Sequence, residues 1–240
     1  MEKLQQLRDW IAGSEHLVFF GGAGVSTESG IPDFRSVDGL YHQSYSVPPE
    51  TILSHSFFQR DPDTFYQFYR DKLVCPGAAP NAAHLALARW EEQGRLKAVI
   101  TQNIDELHQR AGSRNVLELH GTIRSFYCVR CRAPHPEEAV LACDGVPRCA
   151  KCGGVVRPDI VLYEEGLNQN VVQQAVDHIM RADVLIVGGT SLTVYPAAGF
   201  LNYYRGNKLV LINRDPTGFD GQADLVIHDS IGKVLGGIEV

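Results

Sequence analysis

Apolar positions along the chain fall into two rhythms. Over residues 2–12, Leu4, Leu7 and Ile11 recur at helical spacing, which predicts an amphipathic helix. His16-Leu17-Val18-Phe19-Phe20 then runs almost unbroken, the pattern of a buried strand. Similar runs return at Ala98–Thr101, Val116–His120, Asp183–Val187, Leu209–Ile212 and Leu225–His228, and Val155–Tyr163 also reads as extended. Helical patterns lie between them at 80–90, with Pro80 near the start, at 171–180, and from about Pro196. Strands that are apolar throughout and alternate with helices predict an α/β fold, a parallel sheet covered on both faces. In such sheets ligands bind beyond the carboxyl ends of the strands.

Residues 36–74 depart from this alternation. A loop is expected over 37–41, then two short helices with Pro62 in the first turn of the second. Phe57, Phe58, Phe65, Tyr66, Phe68 and Tyr69 read first as core packing, and some of them as the lining of a substrate pocket.

The first strand runs into Gly21-Gly22-Ala23-Gly24-Val25-Ser26-Thr27, then Glu28-Ser29-Gly30-Ile31-Pro32-Asp33-Phe34-Arg35. Glycines allow a tight turn and close approach to an anion, and Ser26 and Thr27 are expected to cap a helix facing it. The strict GxGxxG fingerprint fails, because Thr27 occupies its third glycine position. Phe34 beside Arg35 suits a loop that closes over a charged, partly aromatic ligand.

Polar groups cluster at two further strand ends. Gln102, Asn103 and Asp105 follow the strand at 98–101, and buried groups of this kind need partners. His120 ends the next strand; a lone histidine is more often structural, and His108 competes with it from a short helix after the polar turn.

Cys128-Val129-Arg130-Cys131 and Cys149-Ala150-Lys151-Cys152 form CxxC pairs separated by 17 residues. Thiolates in this pattern suit tetrahedral zinc, and the filled coordination shell makes the metal structural. Gly153 and Gly154 fit the second knuckle, whereas Cys143 and Cys75 stand outside the pattern.

Composition narrows the class. A 240-residue chain with 44% hydrophobic and 21% charged residues is ordinary for a globular protein. A net charge of −6 does not favour nucleic acid or an anionic membrane. Met1–Gln6 lacks the form of a signal peptide, and no apolar run approaches membrane-spanning length. A reducing cytoplasm is the implied compartment.

Gly22-Ala23-Gly24-Val25-Ser26 followed by Gly30-Ile31-Pro32-Asp33-Phe34-Arg35 resembles the signature of the sirtuins, the NAD-dependent protein-lysine deacylases. The stretch Gln102-Asn103-Ile104-Asp105-Glu106-Leu107-His108, the Leu119-His120-Gly121 step, the cysteine pairs and Gly189-Thr190-Ser191 fall in that family's order. The resemblance spans about residue 10 to residue 231. It implies a Rossmann-like NAD-binding domain from 1–36, 75–120 and 157–240, and a small domain from 37–74 and 121–156.

By the same resemblance, Gly22, Ala23, Gly24, Thr27, Phe34 and Arg35 belong to the cofactor loop. Gln102 and Asn103 are expected at the nicotinamide-side ribose, and Ile104 and Asp105 at the carboxamide. Gly189, Thr190, Ser191, Asn213 and Arg214 are expected at phosphate and adenosine ribose, with Ile231 near adenine. His120 becomes the catalytic base, with Asn103 beside it. Val161, Tyr163 and Val194 are expected against the substrate peptide; the family's usual Phe-Gly-Glu reads Tyr163-Glu164-Glu165 here. Tyr69 and Lys72 occupy the Tyr-x-x-Arg positions of desuccinylating relatives, with lysine in place of arginine.

The implied activity is removal of acetyl, with other acyl groups as an extension, from protein lysines, giving nicotinamide and O-acyl-ADP-ribose. Acyl-lysine proteins or peptides are the expected partners, without membrane or direct nucleic acid. The rival readings are a mono-ADP-ribosyltransferase using the same NAD site and a zinc-ribbon module that binds nucleic acid.

Overall fold

A computed structural model describes residues 2–34, 39 and 47–240. Arg35 and most of the loop expected at 37–41 lie outside the described residues. Helix α1 (Glu2–Ala12) buries Leu7 and Ile11 but leaves Leu4 exposed, so its apolar stripe is narrower than the spacing predicts. Strand β1 (Leu17–Gly21) is buried throughout.

The aromatic-rich region forms α2 (Pro49–Ile52), α3 (His55–Arg60) and α4 (Pro62–Phe68), with Pro62 in the first turn of α4, where its missing N–H costs nothing. One π-turn, Tyr69–Leu73, extends α4. Helix α5 (Ala82–Glu92) is capped by Asn81 and leads to β2 (Leu96–Thr101). Helix α6 (Leu107–Arg110) and strand β3 (Val116–Glu118) follow.

Beyond His120 the chain enters a second unit: β4 (Gly121–Cys128), β5 (Pro134–His135), α7 (Glu137–Leu141) and β6 (Val156–Ile160). It then returns through α8 (Gln169–Arg181), β7 (Val184–Gly188), β8 (Leu209–Ile212), β9 (Leu225–Ile227) and α9 (Ile231–Gly236).

The large sheet has six parallel strands in the order β3-β2-β1-β7-β8-β9. Its side chains alternate between two cores. Leu17 and Phe19 pack with α1, α5 and α9, while Val18 and Phe20 pack with α8 and the 197–203 segment. That is the two-sided burial expected for parallel strands.

The small antiparallel sheet runs β5-β4-β6. Its core joins Phe57, Phe58, Phe65, Tyr66, Phe68 and Tyr69 to residues of β4, β6 and the cysteine segment. Burying such rings contributes roughly 1.5–3 kcal/mol each, so the helical insertion and the cysteine segment stabilise one another.

Four sequence expectations change. Ser26 and Thr27 cap no α-helix; the loop forms two short 3-10 turns, Ala23–Val25 and Thr27–Ser29. The segment from Pro196 is a 3-10 helix, Ala197–Tyr203. The chain ends in helix α9 rather than in a strand. Finally, β6 pairs with β4, so Val156–Ile160 belongs with the small sheet and a boundary at 157 cuts through it.

Candidate active site

The carboxyl ends of β1, β2, β7 and β8 open onto a cavity of about 730 Å3, within the usual range for small-molecule sites. One wall is the loop after β1, with Gly22, Ala23, Gly24, Thr27 and Phe34 on the cavity. Its turn interlocks with the turn after β7. Gly24 N donates to Gly189 O at 2.8 Å, and a Cβ on Gly24 would lie 2.8 Å from Gly189 Cα. Gly189 itself has φ +61°, and a Cβ there would lie 2.4 Å from Val25 N. The two backbones touch because neither residue carries a side chain.

The polar turn after β2 supplies the cavity centre through Gln102, Asn103, Ile104 and Asp105. Asn103 Nδ2 donates to Ser26 Oγ at 3.1 Å, and Ser26 Oγ donates to Asp105 Oδ2 at 2.6 Å. Asp105 Oδ1 accepts from Leu107 N at the start of α6. Thus Ser26 ties the glycine loop to the polar turn instead of capping a helix. Thr27 Oγ1 is likewise turned back on its own loop, donating to Gly24 O.

His120 faces the same cavity. Its Nδ1 lies 2.9 Å from the carbonyl oxygen of Gln102. A carbonyl only accepts, so Nδ1 carries the proton and Nε2 the lone pair. Burial lowers the His120 pKa from its ordinary value, against the opposing pull of the Gln102 hydrogen bond. The ring is therefore neutral near pH 7, with a basic nitrogen available. His108, the competing histidine, is buried behind the turn against Phe19 and His84, and burial pulls its pKa down to about 3.

The opposite wall comes from Gly189, Thr190, Ser191 and Val194 after β7, Asn213 and Arg214 after β8, and Ile231 at the start of α9. Thr190 N donates to Asn213 Oδ1 and Gln102 Nε2 donates to Thr190 Oγ1, which links the two halves of the sheet. Asn213 Nδ2 is buried without a hydrogen-bond partner among the described residues. An unpaired donor beside a glycine-rich cradle fits a ligand bearing ribose and phosphate oxygens, as NAD does.

Lys72, Val161 and Tyr163 also line the cavity. Tyr163 is held in parallel pairing beside Ser54: its N–H donates to Leu53 O, and its carbonyl accepts from His55 N. Glu165 accepts from Arg157, Leu162 N and His55, and these bonds outweigh its burial and hold its pKa down to about 2. Glu164 takes the left-handed φ of +75°, where glycine is the usual choice, and its carboxylate accepts from both Ser56 N and Ser56 Oγ.

Tyr69 does not line the cavity. It is 1% exposed in the small-unit core, and its hydroxyl donates to Ile123 O at 2.8 Å. Sequence reasoning also overlooked an ion pair across the cavity mouth, Asp33 with Arg214 at 3.7 Å, and the apolar contributions of Leu53, Ile160 and Leu162. The pair joins residues 181 apart, so no local pattern announces it.

Cys128, Cys131, Cys149 and Cys152 bring their sulfurs within 4.8 Å of one another. The Cys128–Cys152 and Cys131–Cys149 sulfurs lie 3.4 and 3.7 Å apart. Ligands at about 2.3 Å around tetrahedral zinc stand about 3.8 Å from one another, so the cluster fits that ion. A Cβ on Gly154 would sit 2.8 Å from Cys128 Sγ, which explains the glycine at that knuckle. Cys143 and Cys75 are outside the cluster.

Together these features define a nucleotide-binding α/β protein whose ligand cleft is closed by a small unit with a four-cysteine metal site. The Sir2 family model matches residues 22–196. A protein of Clostridium perfringens named NAD-dependent protein deacetylase is 58% identical over 238 residues, 98% of each chain. A solved structure described as the structural basis for the mechanism and regulation of Sir2 enzymes aligns with a TM-score of 0.90 at 41% identity, covering 98% of this chain and 95% of that one. A complex of Sir2 with a p53 peptide and NAD+ aligns with a TM-score of 0.87 at 40% identity, covering 97% of this chain and 95% of that one. The chain belongs to the Sir2, or sirtuin, family.

Proposed function

We propose that this chain is an NAD-dependent protein-lysine deacetylase that acts on acetyl-lysine in proteins or peptides. The observation that carries the reading is the contact of His120 Nδ1 with Gln102 O, which leaves Nε2 as the basic nitrogen of a histidine that lines a glycine-cradled cavity. The name of the Clostridium perfringens relative and the p53 peptide and NAD+ held by the Sir2 complex support it.

NAD, when bound, would supply a displaceable nicotinamide and accept the acyl group; with one water consumed, the products are free lysine, nicotinamide and O-acyl-ADP-ribose. Gly22, Gly24 and Gly189 let the two turns pack against each other at the cradle that would hold phosphate, and Asn213 Nδ2 and Arg214 would donate to the adenosine side. Asn103 and Asp105, locked through Ser26, orient the nicotinamide side. Nε2 of His120 would take the proton from a ribose hydroxyl of bound NAD, with Gln102 O steadying the charge on the ring through Nδ1. Phe34 excludes water from the reacting carbon. Val161, Tyr163 and Val194 hold the peptide, and Lys72 stands beside the acyl chain.

The cleft divides a sheet domain, assembled from 1–36, 75–120 and the chain after β6, from a small domain of 37–74 and 121–160. No described helix is long and apolar enough to cross a membrane. A reducing cytoplasm is the proposed working compartment, because four of the six cysteines are gathered at a metal site.

Mass spectrometry of an acetyl-lysine peptide with the purified protein, with and without NAD, tests the reading. Loss of acetyl matched by nicotinamide release, and absent in His120→Ala, is the expected result. An untouched peptide with NAD consumed would move the assignment to ADP-ribosyl transfer.

A further inference from the structure

The strand that leads from His120 into the metal module is interrupted where it passes the cavity. Strand β4 pairs with β6 at Gly121 and Thr122 and again from Phe126, with a register shift between. Such bulges break the ladder, leave backbone groups without strand partners, and re-aim side chains. Here Ile123 is turned to the cavity, and its two backbone groups bond elsewhere. Its N–H donates to Ile104 O at 3.0 Å, and its carbonyl accepts from the Tyr69 hydroxyl at 2.8 Å. Ile104 also lines the cavity, beside Asp105.

The Tyr69 ring is fixed on three sides. It stacks on Phe65, meets Phe126 edge-on at 6.1 Å and meets Tyr66 at 5.8 Å. The hydroxyl is thus a rigid donor from the helical insertion, aimed at a carbonyl the sheet leaves unpaired. Thr122 Oγ1 on Glu106 and Arg124 near the same carboxylate stitch the bulge to the polar turn from the other side.

We propose that Tyr69 is a positioning residue for the nicotinamide side of the site, acting through Ile123 on Ile104 rather than by touching the acyl group. This role rests on the NAD-dependent reading above. Without the hydroxyl, the Ile123 carbonyl is buried and unpaired, the bulge relaxes, and the Ile104 backbone loses its fixed donor.

Tyr66 provides a matched control. Its hydroxyl donates to Val156 O from the same aromatic core, and Val156 does not line the cavity. Tyr69→Phe and Tyr66→Phe each remove one buried hydrogen bond and keep the ring, so both are expected to fold with a similar loss of melting temperature.

The experiment compares NAD and nicotinamide affinities of the zinc-loaded wild type and both variants by calorimetry, then the KM for NAD and kcat. Tyr69→Phe is expected to weaken NAD and nicotinamide binding by roughly threefold or more, with KM rising more than kcat falls. Tyr66→Phe is expected to leave both affinities at the wild-type value. Equal affinities in all three proteins, or equal losses in both variants, overturn the positioning role. A wild type that binds no NAD overturns the functional reading itself, and the role with it.

Discussion

Nδ1 of His120, two residues beyond β3, is pinned by the carbonyl oxygen of Gln102, the first residue after the neighbouring strand β2. The contact decides which nitrogen is basic, and burial lowers the pKa of the ring. The ring loses its basic lone pair only when acid protonates it. The acid limb of kcat/KM against pH is therefore expected to have its midpoint below 6.5, the ordinary histidine value. A midpoint at or above 6.5 in a pH-rate profile would contradict this assignment.

Gly24 sits against Gly189 with no space for a methyl group. Gly24→Ala is expected to fold, because Gly24 itself is only half-buried, but to lose NAD affinity by roughly tenfold or more as the two turns separate. Calorimetric titration with NAD reads this directly.

Much of this cradle is legible in the sequence because its parts are local. A strand, a glycine turn and a polar turn at the next strand end announce themselves within a few residues. What stays hidden depends on distant partners. Ser26 looks like a cap until Asp105 is seen 79 residues away. Tyr69 looks like a pocket residue until the bulge at Ile123 claims its hydroxyl. Residues 155–163 read only as extended, with an implied boundary at 157 that sets most of them with the main sheet, and pairing of Val156–Ile160 with β4 decides otherwise. Periodicity reports that a segment is extended; it does not name the neighbour.

Glu118, at the end of β3, is a buried carboxyl with Oε1 unpartnered. Burial, together with the nearby acids Glu106, Asp105 and Asp159, raises its pKa to about 7 against a hydrogen bond from Gln109 that lowers it. The folded state then holds a proton that the unfolded chain releases at a lower pH. Stability is lost as pH rises from the ordinary value of 4.5 through about 7. Glu118→Gln is expected to flatten this dependence, and thermal melts between pH 5 and pH 8 would reveal an unchanged slope if the assignment is wrong.

Glu164 occupies a left-handed backbone position and is held there by Ser56. Glu164→Ala keeps the strained φ and loses the carboxylate contacts; Glu164→Gly loses the contacts but removes the strain. The glycine variant is expected to be more stable than the alanine variant by about 1 kcal/mol, measured by urea denaturation.

Removing zinc with a chelator, or replacing Cys131 with Ser, is expected to release about one metal per chain and to lower the melting temperature sharply, because the cysteine segment and the aromatic helices share one core. Metal analysis alongside thermal melts checks both halves of this expectation.

The strands β4 and β6 carry a consequence for how such chains can be rebuilt. The chain leaves the main sheet at Gly121 and comes back at Ile160, and these two residues are paired neighbours. An excursion whose feet already touch adds little closure entropy to its host, whatever its length. The segment between them is a natural unit of exchange. A relative's cysteine module spliced in at these feet, together with the aromatic helices that share its core and with the Ile123 bulge kept, would leave the large sheet in register.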